Sequence, residues 1–281
     1  MVVSARHRTL SALTTGFVLV FFVAFCVFPF LWMLDTAFKP AAEVFSTAPT
    51  LWIASPTFSN FRAVVLESPF LIYFGNSLIV AGVSTILTVS LSVFASYAMS
   101  RWSYLSVTQI VTGGLIVSQM IPGVLLLIPL YVLIRNMGLL STYAALVIVY
   151  CTFMVPLASF MLKGFFDAVP RELEEAAAMD GCSRLGFILR ILLPVTLPGL
   201  MATAVFAFIA AWNEFMFGYV LINDDARRTL TPGIMLFKGS HQTDWGSLTA
   251  ASVLAAVPVA LGFVYVQRFL ITGLTAGAVK G

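Results

Sequence analysis

Glu172-Leu-Glu-Glu-Ala-Ala-Ala-Met-Asp-Gly181, followed by Ile191-Leu-Leu-Pro194, interrupts two long apolar segments. With Asp167 the interruption carries five carboxylates, at Asp167, Glu172, Glu174, Glu175 and Asp180. Its opening, Val169-Pro-Arg, starts a helix: proline suits the first turn, and the glutamates complement the positive end of the helix dipole. Ala176, Ala177 and Ala178 add strong helix propensity with almost no bulk. Gly181 then permits a turn that a β-carbon disfavours. A second short helix over 183–192 stops before Pro194. Helix, glycine turn and helix make a compact polar knob whose alanines let it enter a groove closely.

The flanking sequence belongs in lipid. Of 281 residues, 60% are apolar and only 10% charged, and the mean hydropathy is +1.01. A water-soluble domain of this length needs far more charge on its surface. About 20 apolar residues cross a hydrocarbon core as a helix. The pattern predicts an all-α membrane protein, one domain over 1–281, with six transmembrane helices at about 9–34, 70–99, 107–134, 143–162, 197–222 and 248–270. The first is too long for a signal-peptide core and lacks a small-residue cleavage site, so it is expected to stay as an anchor. A net charge of +3 makes no case for nucleic acid. Cys26, Cys151 and Cys182 have no metal-ligand spacing, and two histidines cannot build a metal or acid/base cluster. Neither a metal site nor a disulfide is expected.

Six spans put both termini on one side. That side collects Arg6, Arg8, Arg101, Lys163, Arg171, Arg184, Arg190, Arg268 and Lys280. The other side has Lys39, Arg62, Arg135, Arg227, Arg228 and Lys238. The richer set marks the cytoplasmic face, with the knob in its longest loop and both termini there too. On the outer side, Trp52, Phe58 and Phe61 suggest a cap lying on the membrane surface over 39–69.

Glu175-Ala-Ala, Asp180-Gly181 and Ile191-x-Leu-Pro194 match in type and spacing the cytoplasmic EAA loop of ATP-binding-cassette importer permeases. Pro56-Thr-Phe-Ser-Asn-Phe-Arg62, Asn76-Ser-Leu-Ile-Val-Ala81, Trp212-Asn-Glu-Phe215 and the tail Gly273-Leu-Thr-Ala-Gly-Ala-Val-Lys-Gly281 extend the likeness over nearly the whole chain. The chain resembles the carbohydrate branch of that family, specifically its maltose-type G subunits. The resemblance implies the type I importer permease fold, a loop at about 167–194 and a tail at 273–281. It implies that Glu174, Glu175, Ala176, Ala177, Asp180 and Gly181 couple to an ATPase and that Thr275, Gly277 and Lys280 dock the tail. It also implies a second permease, an ATPase dimer and an extracytoplasmic sugar-binding protein in a bacterial cytoplasmic membrane. Such a subunit is no enzyme. The sequence has no G-x-x-x-x-G-K-[ST], so ATP and magnesium belong to the partner ATPase. Within the class, a glycerol phosphodiester is an alternative solute. From another class, an ion-coupled secondary transporter would need ionisable groups in several spans, and only Glu214 qualifies.

Four residues are candidates for a translocation path: Gln119, Trp212, Asn213 and Glu214. Counted from Leu197 at 1.5 Å per residue, Glu214 lies about 25 Å along the fifth span. A carboxylate at the bilayer centre costs roughly 3 kcal/mol on insertion scales. Glu214 and Asn213 either face the path, accepting hydroxyl protons or holding a gate, or anchor helices. Trp212 either offers its ring to a sugar or packs against lipid or a neighbour. Gln119, before Pro122, either faces a cavity opened by the proline or bonds between helices. Asn76 and Ser77 are read as structural.

Overall fold

The computed structural model of the chain describes residues 5–46, 50–239 and 243–278, with all their side chains except those of 5–10, 12, 266 and 268–278. In chain order the main helices are α1 Ala5–Ala37, α2 Ser59–Leu66, α3 Phe70–Arg101, α4 Ser106–Met120, α5 Leu127–Asn136, α6 Tyr143–Asp167 and α7 Arg171–Met179. They continue with α8 Arg184–Val195, α9 Leu197–Trp212, α10 Met216–Leu221 and α11 Trp245–Ala278. Among the described residues no strand forms beyond an isolated bridge between Lys238 and Thr243. Among the described residues four helices are long and apolar enough to cross a membrane, and the number reaches six when each of two bent pairs counts as one crossing. The chain is an all-α, multi-pass membrane protein.

The bends have local causes. The expected third span is split into α4 and a second limb, Gly123–Asn136, that contains α5, and the two limbs meet at 96°. Ile121, ahead of Pro122, sits in extended backbone (φ −85°, ψ 117°) because a following proline disfavours the helical region. α8 and α9 meet at 85° across Thr196, just before Leu197-Pro198. The fifth span does not run unbroken to residue 222 either. Its helix stops at Trp212, and a second short helix starts at Met216.

By backbone contacts the chain divides into two compact units, residues 1–70 with 234–256 and residues 71–233 with 257–281. In the first, α1 exposes apolar side chains along its whole described length, a surface that suits lipid. The cap over 39–69 is tied to the end of α1. The Asn60 side chain donates to the carbonyls of Ala37 at 2.9 Å and Lys39 at 2.8 Å. Phe38, Phe58 and Phe61 pack with ring centroids 4.9–6.3 Å apart. Lys39 is buried against Asp35 and donates to Thr50 O. Trp52 remains 85% exposed, as a side chain at the headgroup level would be.

Among the four single-helix candidate spans, α6, in the second unit, is the best buried. It meets α3 through small hydroxyls at every fourth position, Ser84, Thr88, Ser92 and Ser96, all fully buried. Thr88 donates to Cys151 Sγ (3.6 Å), Ser92 to Val155 O (3.2 Å) and Ser96 to Ser159 O (2.8 Å). Small polar side chains let two backbones approach closely and bond across the gap. α9 packs along the other side of α6, and at Gly199 any β-carbon would overlap the Phe165 ring. Gly199→Ala is therefore expected to push that ring away and destabilise the helix pair by about 1–3 kcal/mol. A lower thermal midpoint of the purified chain in detergent checks this, and an unchanged midpoint contradicts it.

Candidate functional site

α7 ends as its sequence requires. Gly181 has φ +78°, its N–H donates to Ala178 O at 3.0 Å, and Cys182 N–H donates to Ala177 O at 2.9 Å. This is the Schellman closure, which wants glycine at that position. The next helix starts at once, capped by Ser183, whose hydroxyl accepts from Gly186 N–H at 3.1 Å. A π-helical turn over Ile188–Leu192 then leads to Pro194, which has no N–H to give.

The knob has an inner and an outer side. Ala177, Phe187, Ile188 and Leu192 are buried in one cluster with Val93 and Tyr97 of α3, Leu162 and Phe166 of α6, and Val169. Glu174 points the same way. Its carboxylate accepts from the Tyr97 hydroxyl and lies 2.9 Å from Arg101 Nε. Arg101, with a side chain only 6% exposed, also donates to Val169 O at 3.1 Å. Arg184 lies over the Trp102 ring, 5.4 Å from its centroid, and Trp102 meets Tyr97 edge-on. Removing either partner of a buried ion pair leaves the other charge uncompensated, at a cost of about 3 kcal/mol.

Glu175, Ala176, Asp180 and Gly181 are exposed, and Met179 is 89% exposed. The sequence expectation grouped six residues as one coupling surface, and the structure divides them. Glu174 and Ala177 turn inward to hold the knob, because a helical face that carries the apolar anchor also carries the residue one turn before it. Glu175, Ala176, Asp180 and Gly181 remain accessible. Thr275 and Gly277 fall within helix α11, with Thr275 outside the described side chains, and Lys280 lies outside the described residues.

The candidates for a translocation path separate in the same manner. Glu214 is not inside a helix but in the break between α9 and α10. Its Oε1 accepts from Phe217 N–H (2.9 Å), and its Oε2 accepts from Gly218 N–H (3.0 Å) and the Tyr150 hydroxyl (2.8 Å). The carboxylate thus satisfies the amides that the break exposes, and a lone carboxylate in lipid is replaced by one with three donors. Glu214 and Tyr150 line a hollow of about 260 Å³ with Gly123, Phe153, Phe206 and Phe217. Gln119 donates to Phe153 O at 3.4 Å, on the wall of that hollow. Asn213 is exposed. Trp212 is buried, with Phe208 stacked on it at 5.7 Å and Phe74 edge-on at 5.4 Å, so its ring faces aromatic neighbours.

Residues 91–275 match the family model described as "Binding-protein-dependent transport system inner membrane component". The inner membrane ABC transporter permease protein YcjP of Escherichia coli K12 is 36% identical over 99% of this chain and 100% of its own. The trehalose/maltose transport system permease protein MalG of Thermococcus litoralis is 38% identical over 91% of this chain and 92% of its own. Among solved structures, a bacterial ABC transporter involved in importing the acidic polysaccharide alginate superposes with a TM-score of 0.82. It covers 95% of this chain and 99% of that one at 16% identity, a likeness of fold.

Glu214→Gln leaves one oxygen where two serve three donors. It is expected to cost about 1–3 kcal/mol, since a buried donor loses its acceptor. Tyr150→Phe should cost less, because both amides keep theirs. Thermal unfolding of the two purified variants decides, and equal or reversed effects would contradict the assignment.

Proposed function

The chain belongs to the family of binding-protein-dependent transport system inner membrane components, and on that premise we propose that it is a permease subunit of an importer for a sugar or oligosaccharide. Membership makes it a transport subunit and not an enzyme. In this reading ATP and magnesium bind a pair of ATPase subunits, a second permease completes the pathway, and an extracytoplasmic binding protein delivers the solute. The knob and both termini face the cytoplasm, in keeping with the excess of Lys and Arg on that side.

The observation that carries the coupling role is the two-sided knob. Its base is pinned to α3 by Glu174, Arg101, Tyr97 and Ala177, while Glu175, Ala176, Met179 and Asp180 stand free on a short rigid helix. A surface of that kind transmits displacement, because pushing it moves the helices beneath as one body. ATP-driven closure of the ATPases would push the knob and switch the bundle between inward- and outward-open forms. Thr275, Gly277 and Lys280 would add a second contact from the tail.

Carbohydrate is supported by the likeness to the trehalose/maltose permease. The sequence keeps a glycerol phosphodiester as the neighbouring choice, and the family sets aside the ion-coupled carrier. Gln119, Asn213 and Glu214 would lie beside the path, and Trp212 would serve packing. The first three carry the polar groups that a hydroxyl-rich solute requires.

The test is Gly181→Pro in a complex purified through a tag on this chain. Proline cannot adopt the positive φ of residue 181. An ATPase and a second permease should accompany the unsubstituted chain. The variant should insert into the membrane yet lose solute-stimulated ATP hydrolysis at least tenfold, of the order expected for about 1.4 kcal/mol. Full stimulation in the variant contradicts the coupling role.

A further inference from the structure

From Ile222 to Thr229 the segment has only a 3-10 turn at Asp225–Arg227 before a short helix begins at Leu230, yet its backbone is answered from the membrane helices. Asn76 of α3, 6% exposed, gives its amide nitrogen to this task. Its Nδ2 donates to Ala226 O (3.0 Å) and Arg228 O (2.8 Å), and its Oδ1 accepts from the Tyr143 hydroxyl (2.6 Å). Beside it, Ser77 Oγ accepts from Leu230 N–H at 2.8 Å.

Ser141 holds the other end. Its N–H donates to Leu221 O (2.9 Å), its hydroxyl accepts from Asn223 N–H (3.1 Å), and its carbonyl accepts from the Arg227 guanidinium (2.8 Å). Ser141 has φ +56°, in the left-handed region. A non-glycine residue persists there when its surroundings over-determine it, and such strain gathers at working sites. Finally, the Thr231 hydroxyl donates to Glu214 O, the residue that repairs the broken fifth span.

We propose that residues 222–231 form a strap that positions the helix break at Glu214, with Asn76 as its positioning residue, so that a displacement of the outer face is carried into the fifth span. The proposal rests on the importer reading, in which the outer face receives the binding protein. A hydrated loop would yield locally. Here the Asn76 amide and the Leu230 N–H are buried, and stretching either of their bonds strands a buried polar group, so the segment shifts with the helices as a unit. Asn76 and Ser77 accordingly do more than join two helices: they connect an outer segment to the interior.

Ala226 is exposed and bonds only through its backbone, its carbonyl to Asn76 and its N–H to Asp224 Oδ1, so Ala226→Cys places a thiol on the strap with little disturbance. The assembled complex in proteoliposomes is treated with a membrane-impermeant maleimide, without nucleotide and after trapping with ATP, magnesium and vanadate. The unsubstituted complex, with Cys26, Cys151 and Cys182, sets the background. The labelling rate should change several-fold on trapping, and adding Asn76→Ala should abolish most of the change while trapping itself persists. A rate indifferent to trapping, or a change that survives Asn76→Ala, overturns the strap. Should Asn76→Ala fail to assemble, Ser77→Ala, which frees only the Leu230 N–H, carries the same comparison. Failure of vanadate trapping in the unsubstituted complex would instead remove the importer reading, and the strap's role with it.

Discussion

Inside a bilayer no water answers a backbone amide, so the chain itself has to repair each interruption of a helix. The fifth span shows what this demands. Its helix ends at Trp212 and resumes at Met216, and the Glu214 carboxylate takes the N–H groups of Phe217 and Gly218. The Tyr150 hydroxyl completes the arrangement from α6. A charge that would be costly alone in lipid is held by three donors, and the break it stabilises opens a hollow beside Pro122-Gly123, where the third span also turns. These two breaks therefore border one space.

The knob obeys the complementary rule. Outside the hydrocarbon a polar helix is easily hydrated, and rigidity has to come from its base. The ion pair of Arg101 with Glu174, backed by Tyr97 and by the Ala177 cluster, supplies that base. The closed turn at Gly181 fixes the angle to α8 without relying on side chains. What remains outward is short, small and acidic. Its shape is set from within.

Much of this was legible in the residues. Long apolar runs closed by Arg101 and by Val169-Pro170 place the second and fourth crossings within a few residues, because composition and proline act locally. Pro122 announces an opening of the third span, although not the size of its bend, which depends on what α4 and α5 pack against. The break at Glu214 was hidden. Trp212-Asn-Glu-Phe contains neither proline nor glycine, and its signal is an acid three and four residues ahead of N–H groups that need a cap. The inward turn of Glu174 was hidden too. Arg101 at the end of a span asks for a counter-ion, but pairing across so many residues leaves no trace in one sequence. Asn76 and Ser77 were legible as polar groups near the outer interface, while their partners, in a loop about 150 residues away, did not show.

The central claim is that one side of α7 is anchored and the other meets an ATPase. Photo-crosslinking reads that division directly, with a benzophenone side chain placed at Met179 in one complex and at Ala177 in another. The account predicts an adduct with the ATPase subunit from Met179 and none from Ala177, whose neighbours are Tyr97, Phe166 and Phe187 of this same chain. Equal adducts from both positions, or adducts from Met179 with lipid alone, would contradict it.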